Sequence, residues 1–222
     1  RFYAGKNLTG KFFNNKLEIQ IGEQIIYSGE KRSVELNYFN PFVPYFFAAL
    51  ENDDVDYFDA DSNISYNNDN SMIFSMVSYD INDNTTLYVE FLIDDYQINP
   101  DPVQNMLGMK LGLSRNYQNI ARKINMRFDY TVIDSWTYIH KGQYTNWQNR
   151  GHSIGYSYGN DLRSLTLQAD YWIKKDRLWL DMKYTWLDKG NNNIQTKSEN
   201  KGTLSDPFPY PPVKVFHMFE SS

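Results

Sequence analysis

Hydrophobic and polar residues alternate with a period of two along most of this chain. The clearest stretch is Thr86 to Tyr96. Leu87, Val89, Phe91 and Ile93 share one side there, and Tyr88, Glu90 and Asp94 share the other. Successive side chains of a strand point to opposite faces, so this pattern predicts a strand with one apolar and one wet face. Leu92 breaks the polar row once. Lys16 to Tyr27 repeats the pattern: Leu17, Ile19, Ile21 and Ile25 oppose Lys16, Glu18, Gln20 and Gln24, with Glu23 the exception on the apolar side. Ser71 to Ile81 is a weaker strand that places Met72, Phe74 and Met76 together. Asn105 to Arg115 sets Leu107, Met109, Leu111 and Leu113 against Gly108, Lys110, Gly112 and Ser114. Three further strands follow: Ile124 to Val132, Ser164 to Ile173, and Arg177 to Trp186.

The predicted strands run to about 10–12 alternating residues, beyond the usual mode of about 5–6 in globular sheets. From residue 71 onward the connections alternate short and long. Their wet faces carry full charges, including Arg127, Asp129, Asp181 and Lys183. Long strands, connections sorted by length to opposite ends, and a charged face together predict an antiparallel transmembrane β-barrel. Its short turns would be periplasmic, its long loops extracellular and its lumen polar. A soluble antiparallel barrel or sandwich also alternates and stands as the other reading. Seven strands are legible, and bacterial single-chain barrels use even numbers from 8 upward. The chain is therefore expected to be part of a larger barrel, or to hold strands in 28–70 and 196–222 that the pattern does not display. Residues 1–222 read as one barrel domain or barrel fragment, with 28–70 a long loop insertion and 206–213 a Pro-rich connection.

Composition sharpens this picture in three places. Aromatics reach 17 %, and Tyr and Trp suit surfaces apolar at one end and wet at the other. Cysteine is absent, which removes disulfides, thiolate metal sites and cysteine nucleophiles. A net charge of −5 without a basic run argues against nucleic acid as a partner. No stretch approaches the roughly 20 apolar residues of a membrane helix, which leaves a strand-built span open. The opening Arg1-Phe2-Tyr3 reads as a mature or partial chain.

Candidate chemistry is sparse. Asp94-Asp95 is a paired carboxylate, but neighbours on a strand point to opposite faces and cannot flank one glycosidic bond. The pair reads as a strand end meeting water. Asp53, Asp54, Asp56, Asp59, Asp61 and Asp69 could offer oxygen ligands to calcium, yet they lack the spacing and glycine of an EF-hand. They read first as a solvated acidic loop, and no cofactor is expected. The three histidines, His140, His152 and His217, match no zinc motif. The connection 134–160 is the better functional candidate. Trp136, Tyr138, Tyr144, Trp147 and Arg150 lie there among Asn146, Gln148 and Asn149. Sugar rings stack on aromatic faces while amides and guanidinium bond hydroxyls. Trp136 and Tyr138 fit an interfacial aromatic girdle equally well. Asp94 joins the candidate set.

An ordered series of segments resembles the Wzi-type capsule-assembly family of outer-membrane barrels. It comprises Phe2-Tyr3-Ala4-Gly5; Glu18 to Tyr27; Leu36-Asn37-Tyr38-Phe39-Asn40-Pro41-Phe42; Asn68-Asp69-Asn70-Ser71; Leu87 to Asp95; Trp136-Thr137-Tyr138-Ile139-His140; and Ile154 to Asp161. Lys6-Asn7 departs from the His-Arg-like pair of that family, and Tyr156 stands where a His would follow glycine. The family would also bring further barrel strands and an N-terminal region. The resemblance implies a bacterial outer-membrane barrel that binds or anchors surface polysaccharide without catalysis, with envelope proteins as partners. A porin-like or accessory barrel of a secretion or gliding-motility machine is the alternative, and a soluble all-β glycan hydrolase the second.

Overall fold

The computed structural model describes residues 2–28, 33–45, 47–48, 57–59, 64–66, 69–95, 105–118, 123–140, 146–174, 178–195 and 207–221. The chain is all-β. Its strands are β1 (Phe2–Phe12), β2 (Leu17–Tyr27), β3 (Tyr57–Asp59), β4 (Ile64–Tyr66), β5 (Asp69–Asn82), β6 (Thr85–Asp95), β7 (Met106–Gln118), β8 (Lys123–Ile133), β9 (Gln148–Asn149), β10 (His152–Ser153), β11 (Leu162–Lys174), β12 (Leu178–Lys189) and β13 (Lys214–Ser221). Nine of them form one antiparallel sheet in the order β1-β2-β5-β6-β7-β8-β11-β12-β13. β3 with β4, and β9 with β10, make two small ribbons. All seven expected strands are present, and β1 and β13 extend the sheet at its two edges.

The large sheet is an up-and-down meander. Connections at one end, the turn end, span 13–16, 83–84, 119–122 and 175–177; those at the other, the loop end, span 28–68, 96–105, 134–161 and 190–213. β1 and β13 both run from the loop end to the turn end. They do not pair with each other among the described residues, so the sheet is open. Because nine is odd, its two edges are parallel, and all-antiparallel closure takes an odd number of further strands.

Register carries each face across the whole sheet. One cross-strand row reads Gly10, Ile19, Val77, Val89, Leu111, Tyr130, Leu165, Trp186 and His217. Its neighbour on the same face reads Phe12, Leu17, Tyr79, Leu87, Leu113, Phe128, Leu167, Tyr184 and Phe219. The opposite face carries the row Thr9, Gln20, Met76, Glu90, Lys110, Thr131, Ser164, Leu187 and Phe216. In β5 the phase differs from expectation. Met72, Phe74 and Met76 lie on this polar face, and Ile73, Val77 and Tyr79 complete the apolar one. Met72 is buried in a core there, and Phe74 lies over Gly22, where any Cβ would meet its ring at 2.3 Å.

In mid-strand the apolar face is the uncovered one. Leu111 is 39 % exposed, Leu167 46 % and Met182 48 %, all in mid-strand. Three ion pairs lie on the polar face: Lys110 Nζ lies 2.8 Å from Glu90, Arg127 Nε 2.7 Å from Asp129, and Lys183 Nζ 3.1 Å from Glu220. Tyr88 donates its hydroxyl to Asp129, and Gln168 donates to Asp181 at 3.1 Å.

The sheet curls toward its polar face. Ile26 of β2 and Leu187 of β12 stand six strand spacings apart, about 29 Å in a flat sheet at ~4.8 Å each. Both belong to one buried cluster with Ile133, Leu162, Tyr138, Trp147 and Ile194. Met218 of β13 packs on that cluster, and Trp147 meets Tyr3 of β1 edge-on at 6.0 Å. Leu92, the exception in the polar row of β6, packs there too.

Candidate functional site

The concave polar face is filled at the loop end by residues 134–140, 146–161 and 190–195. This plug is held by backbone geometry and by a buried carboxylate. Arg150 (φ 51°) and Gly151 (φ 83°) form the turn of the β9–β10 hairpin, the positive-φ pair that two-residue hairpins favour. Trp147 N–H donates to the Tyr138 carbonyl at 3.0 Å, and Ile154 N–H to the Trp147 carbonyl at 2.9 Å. Asn146 Nδ2 donates to the Ile194 carbonyl at 2.7 Å, joining the two plug segments.

Asp161 is the hub. It is fully buried, and its carboxylate accepts from Ser135 Oγ at 2.7 Å, Tyr210 N–H at 2.8 Å and Asn192 N–H at 2.9 Å. Its backbone closes the same knot: Asp161 N–H donates to the Asp134 carbonyl at 3.1 Å, and Gly190 N–H to the Asp161 carbonyl at 2.8 Å. Position 190 must be glycine, since a Cβ there would sit 2.1 Å from the carboxylate. Neighbouring Asn160 donates to the Ser135 carbonyl at 2.6 Å, and Lys189 Nζ donates to the Asn160 carbonyl at 2.6 Å and to that of Asn192. Four chain segments therefore meet at one residue pair. The Pro-rich stretch is one of them: Asn191 N–H donates to the Tyr210 carbonyl at 2.9 Å, so residues 207–212 are bound to the hub rather than acting as a free spacer.

The six sequence candidates separate. Trp136, Tyr138 and Trp147 are buried in the plug, with no ring face turned to bulk solvent. Trp136 packs with Met106 and Ile139 beneath it. Asp94 Oδ2 accepts the Tyr138 N–H at 2.7 Å and so latches β6 to the plug. Tyr138 holds φ at 72° and lies over Gly155, and its hydroxyl accepts the Tyr156 N–H at 3.2 Å. Burial pushes its phenol up to about 12, which keeps it neutral. Arg150 is exposed at the hairpin turn, apart from the others. Tyr144 lies outside the described residues, as do Asp53, Asp54, Asp56 and Asp61 of the acidic run. Asp69 accepts from the Tyr38 hydroxyl. Among the described residues no group of three or more His, Asp or Glu converges on a metal position.

Under the plug the concave face keeps a cleft of about 400 Å3. Gln20, Gln24, Glu90, Lys110 and Ser157 give it polar walls, and Phe74, Tyr138, Trp147 and Tyr156 give it rings. Two lining groups, the Thr131 hydroxyl and the Trp147 indole N–H, are buried without a hydrogen-bond partner among the described residues. Gln20, Gln24 and Thr131 were not singled out in the sequence; each is an ordinary polar position of an alternating strand.

Comparison with protein-family models, with curated proteins and with solved structures returns no match for this chain.

Proposed function

We propose that the protein forms the wall of a bacterial outer-membrane β-barrel that binds surface polysaccharide in its plugged lumen, without catalysis. One observation carries the reading: the mid-strand rows of the apolar face run across nine strands and are uncovered, while the opposite face is concave and carries most of the charge. A soluble sheet buries its apolar face, and only hydrocarbon offers a reason to reverse that. The dimensions agree. An 11-residue strand is about 37 Å long, and a tilt of about 40° gives a height of about 28 Å, close to a bilayer's apolar thickness. Further strands complete the wall, an odd number of them.

The cleft supports the saccharide half of the proposal. Its volume lies in the range of small-molecule sites. The Gln20 and Gln24 amides and the Ser157 hydroxyl beside aromatic rings suit a ligand of hydroxyls and C–H faces. Of the loop rings, Tyr138 and Trp147 line this cleft from within the plug rather than facing solvent. The plug argues against the porin-like alternative, because the loop end of the lumen is filled by packed side chains.

The test is binding of capsule-type oligosaccharides by protein in vesicles, together with conductance across planar bilayers. Retention of sugar, weakened about fivefold by Gln24→Ala through loss of one neutral hydrogen bond, with no conductance, is the expected result. Ion conductance without sugar retention would replace it with the porin reading, and polysaccharide turnover with the hydrolase one.

A further inference from the structure

The apolar face carries two charged pairs toward the loop end, Arg163 with Asp188 on β11 and β12 and Lys6 with Glu23 on β1 and β2, and the structure covers the second. Lys6 and Glu23 are cross-strand partners on the apolar side of β1 and β2, directly above Leu8 and Ile21. Leu8 is 78 % exposed, so this part of the face is otherwise open. The segment 33–48 lies across it as a strap. Lys6 Nζ donates to the carbonyls of Val43 and, at 3.4 Å, Asn40, and sits 4.3 Å from the centre of the Tyr45 ring. Glu23 accepts the Tyr45 N–H at 2.6 Å. Tyr38, Tyr45 and Ala48 of the strap are buried against Ile25 and Tyr27, with Phe2 and Ala4 beside them. The rings interlock: Phe2 stacks on Tyr27 at 5.2 Å, and Tyr27 meets Tyr38 at 4.7 Å.

A strap that seals two charges needs no apolar outer surface of its own, yet this one has it. Leu36, Phe39, Phe42 and Phe47 project from the side away from the strands, Phe42 at 90 % exposure and Leu36 at 80 %. They continue the apolar face of the sheet outward, at the loop end. We propose that residues 33–48 form an interfacial anchor: the strap lies at the head-group boundary of the leaflet on the loop side, with these four side chains among lipid acyl chains. Its inner face removes the Lys6 and Glu23 charges from the same hydrocarbon. The occupant of this surface is lipid rather than protein because the patch is continuous with the band that meets lipid and is rich in aromatic rings, which favour the boundary. The inference rests on the membrane reading of the preceding section.

The chain has no cysteine, so single cysteines label cleanly. Phe42→Cys, Leu111→Cys and Arg150→Cys, each carrying an environment-sensitive fluorophore, are reconstituted into phosphatidylcholine vesicles. Nitroxide lipids with the spin near the head group, or deep in the chain, then report depth. The label at 42 is expected to lose most fluorescence to the shallow nitroxide, that at 111 to the deep one, and that at 150 to neither. If 111 is quenched while 42 behaves like 150, the anchor is overturned and the barrel stands. If 42 instead forms disulfide-linked pairs between copies and escapes the nitroxides, the strap is a contact between proteins and the proposal fails. Quenching at neither 42 nor 111 removes the membrane reading itself.

Discussion

Asp161→Ala is expected to destabilise the protein by about 3–5 kcal/mol, the largest effect of any single substitution in the plug. Three donors lose their acceptor at once: Ser135 Oγ, Asn192 N–H and Tyr210 N–H. Ser135 and Asn192 are buried where water does not replace the lost oxygen, and bonds to a charged acceptor are the stronger kind. Alanine also inherits a φ of 54°, which aspartate tolerates better and alanine does not, a cost of about 1 kcal/mol. Asp161→Asn discriminates between these causes. Its remaining oxygen can keep Ser135 and Tyr210, which both bond Oδ1, and only the Asn192 bond at Oδ2 is lost. Its loss should be about half that of alanine. Urea unfolding of both variants from vesicles measures the difference, and limited proteolysis shows whether residues 146–160 come loose first. A loss under about 0.5 kcal/mol for Asp161→Ala would mean that the plug is held by packing alone.

Leu111→Arg is expected to cost about 2–4 kcal/mol, the penalty for a cation on the lipid side of a barrel at mid-depth. Leu111 sits at the centre of the row that runs through Val89 and Tyr130. The paired control is Gln168→Arg on the concave face. Asp181 and Asp170 already approach that side chain, so a guanidinium finds partners and the change should stay within about 1 kcal/mol. Folding into vesicles, read by heat-modifiable gel mobility and urea titration, separates the two. In water the contrast would vanish, because a surface leucine to arginine change is nearly neutral.

Much of the wall was legible in the sequence, and its exceptions were informative. β2, β6, β7, β8, β11 and β12 follow from alternation alone because one face is uniformly apolar. β1 hides because Lys6 and Gly10 interrupt its apolar row, and β13 because Val215 and Phe216 are adjacent and Met218 and Phe219 again, so neither face reads as wet. The two breaks in otherwise clean rows each mark a tertiary contact. Leu92 lies under the plug and Glu23 under the strap. The plug itself was not legible. Trp136, Tyr138 and Trp147 have the composition of an exposed sugar-binding loop, and only the long-range bonds through Asp161, 26 residues from Ser135 and 49 from Tyr210, turn them inward. No local periodicity encodes such a knot. Gly159-Asn160-Asp161 gives a turn signal, with φ positive at Gly159 and Asp161, but not its partners.

The account turns on which medium touches the apolar row of β6. Nitroxides placed one at a time from Thr86 to Ile93 in the vesicle-inserted protein measure this directly, through relaxation by dissolved oxygen and by a polar nickel complex. Positions 87, 89, 91 and 93 are predicted to be open to oxygen and closed to nickel, with 86, 88 and 90 in the opposite phase and 92, beneath the plug, closed to both. Access of nickel to both rows, or an apolar row closed to both agents because protein covers it, would contradict the account.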